Sequence, residues 1–438
     1  MSAVFPRRGG GFRSAWRELA ARTWGTGSVD PELGERDAER VRDAIRACLE
    51  ARGGELAARA QAASLGLHYL NLNDEGRRRF LRILTEFDLD RSAVDRAVAE
   101  MQGAQTDEEY RSAAQRLEAT LQPPYIQVLR RFNSLPRGFK FLVDLRADVL
   151  RLGEDASLRS LDNELYALLL SWFDLGFLEL RAVTWDTPAS LLEKLATYEA
   201  VHEVRGWLDL KQRLAADRRC FAFFHPLMPD EPLIFVEVAL TAELTGRIDA
   251  LLRKSAPLDP REATTAIFYS ISNCQKGLAG MSFGDVLIKR VVDELLRELP
   301  NLRTFATLSP VPGFRSWLDR QLDSSNLRDV LARRGWYRET ELSNALREPL
   351  LRLCARYLLQ EKRSDGAARD PVAHFHLSNG ARLERLNWLA DTSARGLANS
   401  AGIMVNYLYA LDRIEENHYA YATQHRIDAS HGVRALLR

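Results

Sequence analysis

Residues 264–299 read TTAIFYSISNCQKGLAGMSFGDVLIKRVVDELLREL, and the change of rhythm inside this stretch decides the fold. TTAIFYSISN is rich in β-branched and aromatic side chains and closes on an asparagine, the pattern of a strand. FGDVLIKRVVDELLREL carries Phe283, Leu287, Val291, Leu295 and Leu299 on one side, the period of an amphipathic helix. Between them SNCQKGLAGMSFGD (272–285) holds Gly277, Gly280 and Gly284. The run LRTFATLSP (302–310) follows as another strand, so strand, loop, helix and strand make a βαβ-like unit.

Upstream, RRCFAFFHP (218–226) and PLIFVEVALT (232–241) are short apolar runs closed by proline or a polar turn. They predict an antiparallel meander leading into the unit, and so an α+β domain over residues 171–438. Before it, residues 1–170 read as an all-helical domain. AERVRDAIRACLEARGG (38–54) has Val41, Ile45, Cys48 and Leu49 on one face and Gly53-Gly54 as a stop. NDEGRRRFLRILTEFDLD (73–90) has Asn73 as N-cap with Phe80, Leu81 and Leu84 inward, and residues 121–152 supply two more helices broken by prolines. The role expected of this domain is scaffolding or oligomer contact.

A chain of 438 residues with 46% hydrophobic content can form two or three cores. Its longest apolar runs, such as YALLLSWF, stop short of the roughly 18 to 20 residues that span a bilayer, so no membrane partner is expected. With 61 basic against 60 acidic residues there is no basic field of the kind nucleic-acid binders carry. The cysteines at 48, 220, 274 and 354 lack C-x-x-C spacing and fit reduced thiols in a cytoplasm. The N-terminus, basic and acid-poor through residue 17, reads as an unstructured lead-in or, faintly, as a mitochondrial transit peptide.

Three segments carry candidate chemistry. Glycines in the 272–285 loop let a backbone approach a ligand, and amides at a helix start suit a pyrophosphate; Ser282 and Asp285 have capping-box spacing. A ligand-free turn explains the glycines equally well. In TLSPVPGFRSW (307–317), Ser309 ends a strand before two prolines; with no G-x-S-x-G elbow, it reads as a hydrogen-bonding or strand-capping serine. DPVAHFHLSNGA (370–381) contains two of the eight histidines, His374 and His376. Read as a strand over 374–378, it points both rings to one side with Phe375 and Leu377 in the core. A metal pair, with His225 or an acidic residue completing it, a catalytic acid with a bystander, and packing are the three readings.

The glycine turn after antiparallel strands resembles the phosphate-binding turn of the Gcn5-related N-acetyltransferase (GNAT) fold, with Gln275 at that turn's Arg/Gln position and Leu278 where its first glycine belongs. AIFYSISNCQKGLAG, FGDVLIKRVVDELLRELPNL, LSPVPGF and PVAHFHLSNGARLERLNWLADTSARG together resemble the malonyl-CoA decarboxylase family, from about residue 183 through 412. The resemblance implies a helical domain (1–170) and a GNAT-like catalytic domain (171–438), a homodimer or homotetramer, and conversion of malonyl-CoA to acetyl-CoA and CO2 without metal or organic cofactor. Carried over by motif, the catalytic serine falls on Ser309, the catalytic histidine on His376, and a neighbouring tyrosine on Tyr409. The malonyl-CoA binding stretch falls on Ala279, Gly280, Met281, Ser282, Phe283, Gly284 and Asp285. Ser282 departs from the family, which carries an acidic residue there, and the position of His374 varies. A CoA-dependent acyltransferase and a non-catalytic malonyl-CoA-binding protein are the alternatives.

Overall fold

The computed structural model describes residues 11–21, 29–51, 53–153, 155–173, 175–252, 257–281, 284–321 and 326–438. The chain divides into two compact units. The first comprises residues 1–177, 225–229 and 275–281, and the second the remainder.

The first unit is helical. Its helices are α1 (Gly11–Ala20), α2 (Glu35–Leu49), α3 (Glu55–Asn71), α4 (Asp74–Thr85), α5 (Arg91–Gly103), α6 (Asp107–Thr120), α7 (Tyr125–Asn133), α8 (Gly138–Leu152) and α9 (Ala156–Trp172). The Asn73 side chain accepts from the Gly76 amide at 2.9 Å and starts α4, whose Phe80, Leu81 and Leu84 are buried as their spacing predicts. Residues 11–20 depart from the expected lead-in. Trp16 is fully buried, packs edge-on against Phe141 and donates its indole N–H to the Pro136 carbonyl, which docks the amphipathic α1 onto the bundle.

The second unit is an eight-stranded mixed sheet with helices around it. Along the chain come β1 (Glu179–Val183), α10 (Ala189–Tyr198), α11 (Trp207–Arg213), β2 (Arg218–Phe224), β3 (Ile234–Thr241), α12 (Ile248–Leu252), β4 (Thr265–Asn273) and α13 (Gly284–Glu298). There follow β5 (Thr304–Thr307), β6 (Ser309–Pro310), α14 (Phe314–Gln321), α15 (Asn326–Ala332), α16 (Thr340–Leu359) and α17 (Pro371–Ser378). The chain closes with β7 (Arg382–Asn387), α18 (Ala394–Ser400), β8 (Met404–Leu408), α19 (Ile414–Gln424) and α20 (His431–Ala435).

Strand order is β1-β2-β3-β4-β5-β8-β6, with β7 on β8. β1 to β4 form the antiparallel meander, and β4 and β5 pair in parallel through α13, the βαβ unit the sequence predicts. Leu287, Val291 and Leu295 of α13 and Leu299 just after it are buried, whereas Phe283 and the Ser282 cap lie outside the described residues. The apolar runs of β3 and β4 are buried at nearly every position, so both faces of the sheet are covered there. The α+β class and the acetyltransferase-like meander with its parallel β4–β5 pair are as expected. β1, β7 and β8 are strands that the sequence reading does not name.

Candidate active site

Ser309 lies in β6, which pairs antiparallel with β8 through Ser309↔Val405 and Pro310↔Met404. Thr307, the last residue of β5, is two positions earlier, so an extended backbone turns both hydroxyls the same way. Ser309 Oγ donates to Thr307 Oγ1 at 2.8 Å, and that oxygen also accepts the Tyr407 amide at 3.2 Å. Asn406, fully buried in β8, donates to the carbonyls of Thr307 (2.7 Å) and Thr245 (3.0 Å) and accepts from Asn387 at 2.8 Å. Every arm of this amide is engaged, and β8 is fixed against β5.

His376 arrives on α17, which corrects the strand expected over 374–378. Asp370 caps the helix by accepting the Val372 and Ala373 amides at 3.0 Å, and Pro371 occupies the first turn. At the other end Gly380 is left-handed (φ +78), the Ala381 amide donates to the His376 carbonyl and the Gly380 amide to that of Leu377. That is a Schellman cap. The segment therefore carries both a helix start and a helix stop, and these local signals outweigh its β-prone apolar residues.

The change of element separates the two histidines. Two residues apart on a helix point about 200° apart, so they do not form a pair on one face. His374 is half-buried, and its Nδ1 stands 2.9 Å from the Tyr421 hydroxyl, which accepts the Ala368 amide. His376 is buried, with Nε2 at 3.0 Å from Ser309 Oγ and Nδ1 at 2.8 Å from the Tyr409 hydroxyl. Its ring stacks on Tyr407 at 4.7 Å and 28°. Among the described residues no group of three His, Cys, Asp or Glu side chains is arranged to hold a metal ion.

The hydrogen-bond directions follow from satisfaction. Ser309 Oγ gives its own proton to Thr307 and so accepts from His376 Nε2–H, which leaves Nδ1 to accept from the buried Tyr409 phenol. The result is a single directed chain, Tyr409 to His376 to Ser309 to Thr307. Burial pushes the His376 imidazolium down to about 3, so the ring is neutral at physiological pH. The same burial holds the Tyr407 and Tyr409 phenols well above their ordinary value and raises the Asp370 carboxyl. The imidazole and the two phenols of the site are thus neutral and buried.

The glycine loop belongs to the first unit from Gln275 to Met281. Arg146 of α8 is buried, pairs with Asp162 at 2.8 Å and donates to the carbonyls of Gly277 (2.7 Å) and Ala279 (2.9 Å). Tyr166 of α9 lies under its guanidinium and donates to the Gly280 carbonyl at 3.3 Å. A Cβ at Gly277 would stand 1.8 Å from the Val143 carbonyl oxygen, and Gly280 has φ +85, so both positions require glycine. The amides of Leu278, Ala279 and Met281 close turns within the loop itself. Of the remaining expected residues, Ser282 and Phe283 lie outside the described residues, and Gly284 and Asp285 open α13.

The structure thus brings Ser309, His376 and Tyr409 together. It adds Thr307, Tyr407 and Asp370 around them and Arg146 beneath the loop, none of which the sequence reading names. The Asp-Pro dipeptide before the HFH segment was a readable sign of a helix cap; Arg146 has no local signal, since its partners lie 131 and 133 residues away.

Residues 176–438 match the family described as malonyl-CoA decarboxylase C-terminal domain, and residues 87–173 the malonyl-CoA decarboxylase N-terminal domain. The chain is 39% identical over 361 residues to a protein of Anser anser anser named malonyl-CoA decarboxylase, mitochondrial, a match covering 74% of this chain and 71% of that one. A Mus musculus protein of the same name is also 39% identical, with 74% and 73% covered. The crystal structure of malonyl-CoA decarboxylase from Rhodopseudomonas palustris is similar with a TM-score of 0.85 at 43% identity, covering 91% of this chain and 99% of that one. That from Agrobacterium vitis gives 0.84 at 41%, covering 91% and 100%.

Proposed function

The chain belongs to the malonyl-CoA decarboxylase family, and from that premise we propose that it converts malonyl-CoA to acetyl-CoA and CO2 with Ser309, His376 and Tyr409 as its catalytic residues. The observation that carries this reading is the buried, uncharged Tyr409–His376–Ser309 hydrogen-bond chain. Malonyl-CoA holds a carboxylate β to a thioester carbonyl. When the bond between the carboxylate carbon and the α-carbon breaks, its electrons pass into the thioester as an enolate and CO2 leaves. Removing a carboxylate from water favours this step because charge spreads over the enolate as CO2 departs.

With substrate bound, Ser309 turns its hydroxyl proton from Thr307 to the malonyl carboxylate and then to the enolate oxygen, which needs an oriented donor. The carbon takes one proton to become the methyl group of acetyl-CoA. His376 supplies it from Nε2, directly or through Ser309, while Nδ1 draws the Tyr409 proton. A thioester enolate is a far stronger base than a phenolate, so the transfer runs downhill even from a neutral imidazole. No metal or organic cofactor has a step in this scheme, and the coenzyme A thioester is substrate. The stretch from Ala279 through Asp285 is the proposed binding segment for it.

Isotope-labelled malonyl-CoA turned over by metal-free protein tests the proposal. Acetyl-CoA and CO2 are expected in equal amounts, and loss of the acid in His376→Ala lowers the rate by about 10² to 10⁴. Ser309→Ala, which removes one oriented donor, costs about 10² to 10³. A folded His376→Ala protein with near-normal turnover overturns the assignment. Acyl transfer to an amine, or tight malonyl-CoA binding without product, identifies the acyltransferase or the non-catalytic binder instead. We propose a homodimer or homotetramer in the cytoplasm, where four buried free thiols stay reduced. No helix among the described residues is long and apolar enough to cross a membrane.

A further inference from the structure

We propose that Asp370 is a positioning residue that sets the distance between Ser309 and His376, a role that rests on these two forming the active site. Its carboxylate is buried and uses its two oxygens for different segments. Oδ1 accepts the Val372 and Ala373 amides and so fixes the first turn of α17, the helix that carries His376 six residues on. Oδ2 accepts the Gly313 amide at 3.2 Å, in the turn just after Ser309, and has the Tyr357 hydroxyl at 3.5 Å.

One side chain therefore ties together the two segments that supply the dyad. The serine and histidine, 67 residues apart in the chain, meet at their own 3.0 Å contact and again through Asp370. Gly313 serves the same junction. A Cβ there would lie 2.1 Å from the Tyr357 hydroxyl and 3.4 Å from Asp370 Oδ2, so a larger residue would push the turn off the carboxylate. Asp370 thus adds a second tie between α17 and the Ser309 turn, beside the contacts that His376 makes with Tyr409 and Tyr407.

Asp370→Asn separates the two functions of the carboxylate. Asparagine is as good an N-cap as aspartate, so α17 keeps its start. Its amide nitrogen, however, meets the Gly313 N–H donor to donor. Asp370→Ser likewise keeps a capping oxygen and loses the second one. In either variant kcat should fall about 10- to 100-fold, the range expected when a reacting group shifts by about 1 Å, with KM for malonyl-CoA unchanged within about twofold. Ser430→Ala, which removes the cap of α20 elsewhere in the unit, should leave kcat unaltered.

The deciding measurement is the double variant. If Asp370 acts by positioning His376, Asp370→Asn in a His376→Ala background adds no further loss of kcat, because groups acting as a unit are not additive. Losses that multiply, or a single Asp370→Asn variant with wild-type kcat, overturn the proposal. Full activity in His376→Ala would instead overturn the active-site reading on which it rests, so the two failures are distinguishable.

Discussion

The Tyr409 hydroxyl stands 2.8 Å from Nδ1 of His376, at the ring nitrogen not used by Ser309. Because Ser309 gives its proton to Thr307, Nε2–H donates to Ser309 and Nδ1 accepts from the phenol. With the phenol as donor, Nε2–H faces the serine, the arrangement that the proposed acid role requires. The opposite tautomer would make it a base activating a serine nucleophile, for which decarboxylation has no use.

Tyr409→Phe removes the donor and leaves Nδ1 buried without a partner. Turnover should drop about 10- to 100-fold with little change in KM, since an oriented donor typically contributes that much or more. Steady-state kinetics measures the drop, and nitrogen NMR of the imidazole should register a mixture of tautomers in place of one. Unchanged kcat would remove Tyr409 from the proton path.

The depressed His376 value makes a stability prediction of definite sign. The folded ring titrates at about 3 and the unfolded ring near its ordinary 6.5. Above 6.5 both states are neutral there, and the contribution is fully present; as pH falls toward 3 the unfolded chain binds a proton that the fold refuses, and stability is lost. The loss approaches about 1.4 kcal/mol per pH unit inside this window. Urea unfolding between pH 7 and 4 should find His376→Gln less acid-sensitive than wild type, and parallel slopes would contradict it.

His374→Gln provides the contrast within the HFH segment. Its ring bonds Tyr421 and points away from the dyad. Turnover should stay within about twofold of wild type, and stability should fall by about 1 kcal/mol or less, the worth of one hydrogen bond. A large loss of kcat would restore His374 to the chemistry.

Arg146→Met should act on binding. It strands the Gly277 and Ala279 carbonyls and the Asp162 carboxylate. Hydrogen bonds to a charged group contribute about 1.5 to 3 kcal/mol, so loosening the loop should raise KM for malonyl-CoA about tenfold or more while kcat changes little. Acetyl-CoA binding by calorimetry gives the same comparison without turnover; an unaltered KM would mean that the loop does not depend on this clamp.

The fold was legible where local chemistry and tertiary structure agree. Residues 265–273 and 284–298 have the composition and period of what they form, and the punctuation between them set the parallel crossover. The HFH segment was misread because its apolar content suggested a strand, while Asp370-Pro371 and Asn379-Gly380 marked a capped helix. β7 and β8 escaped notice since RLERLN is broken by a bulge and MVNYL is short, their stability coming from pairing rather than propensity. At the site, motif resemblance pointed to the serine, histidine and tyrosine that the fold brings together. Arg146 became visible only through partners far along the chain, as did the tie of Asp370 to Gly313, whereas Thr307 and the Asp370 cap have partners two or three residues away.

The placement of β8 also has a consequence for synthesis. This strand, residues 404–408, pairs with β5, β6 and β7, and Asn406 and Tyr407 bond Thr307 across 99 and 100 residues. Contacts of such sequence separation form late, after shorter-range helices and hairpins. A chain leaving the ribosome can therefore complete its helical unit and most of its meander while the dyad still lacks Tyr409 and the strand that holds it. In the proposed mechanism activity therefore awaits the docking of residues 404–409, and a molecule clipped before Tyr409 should be inert.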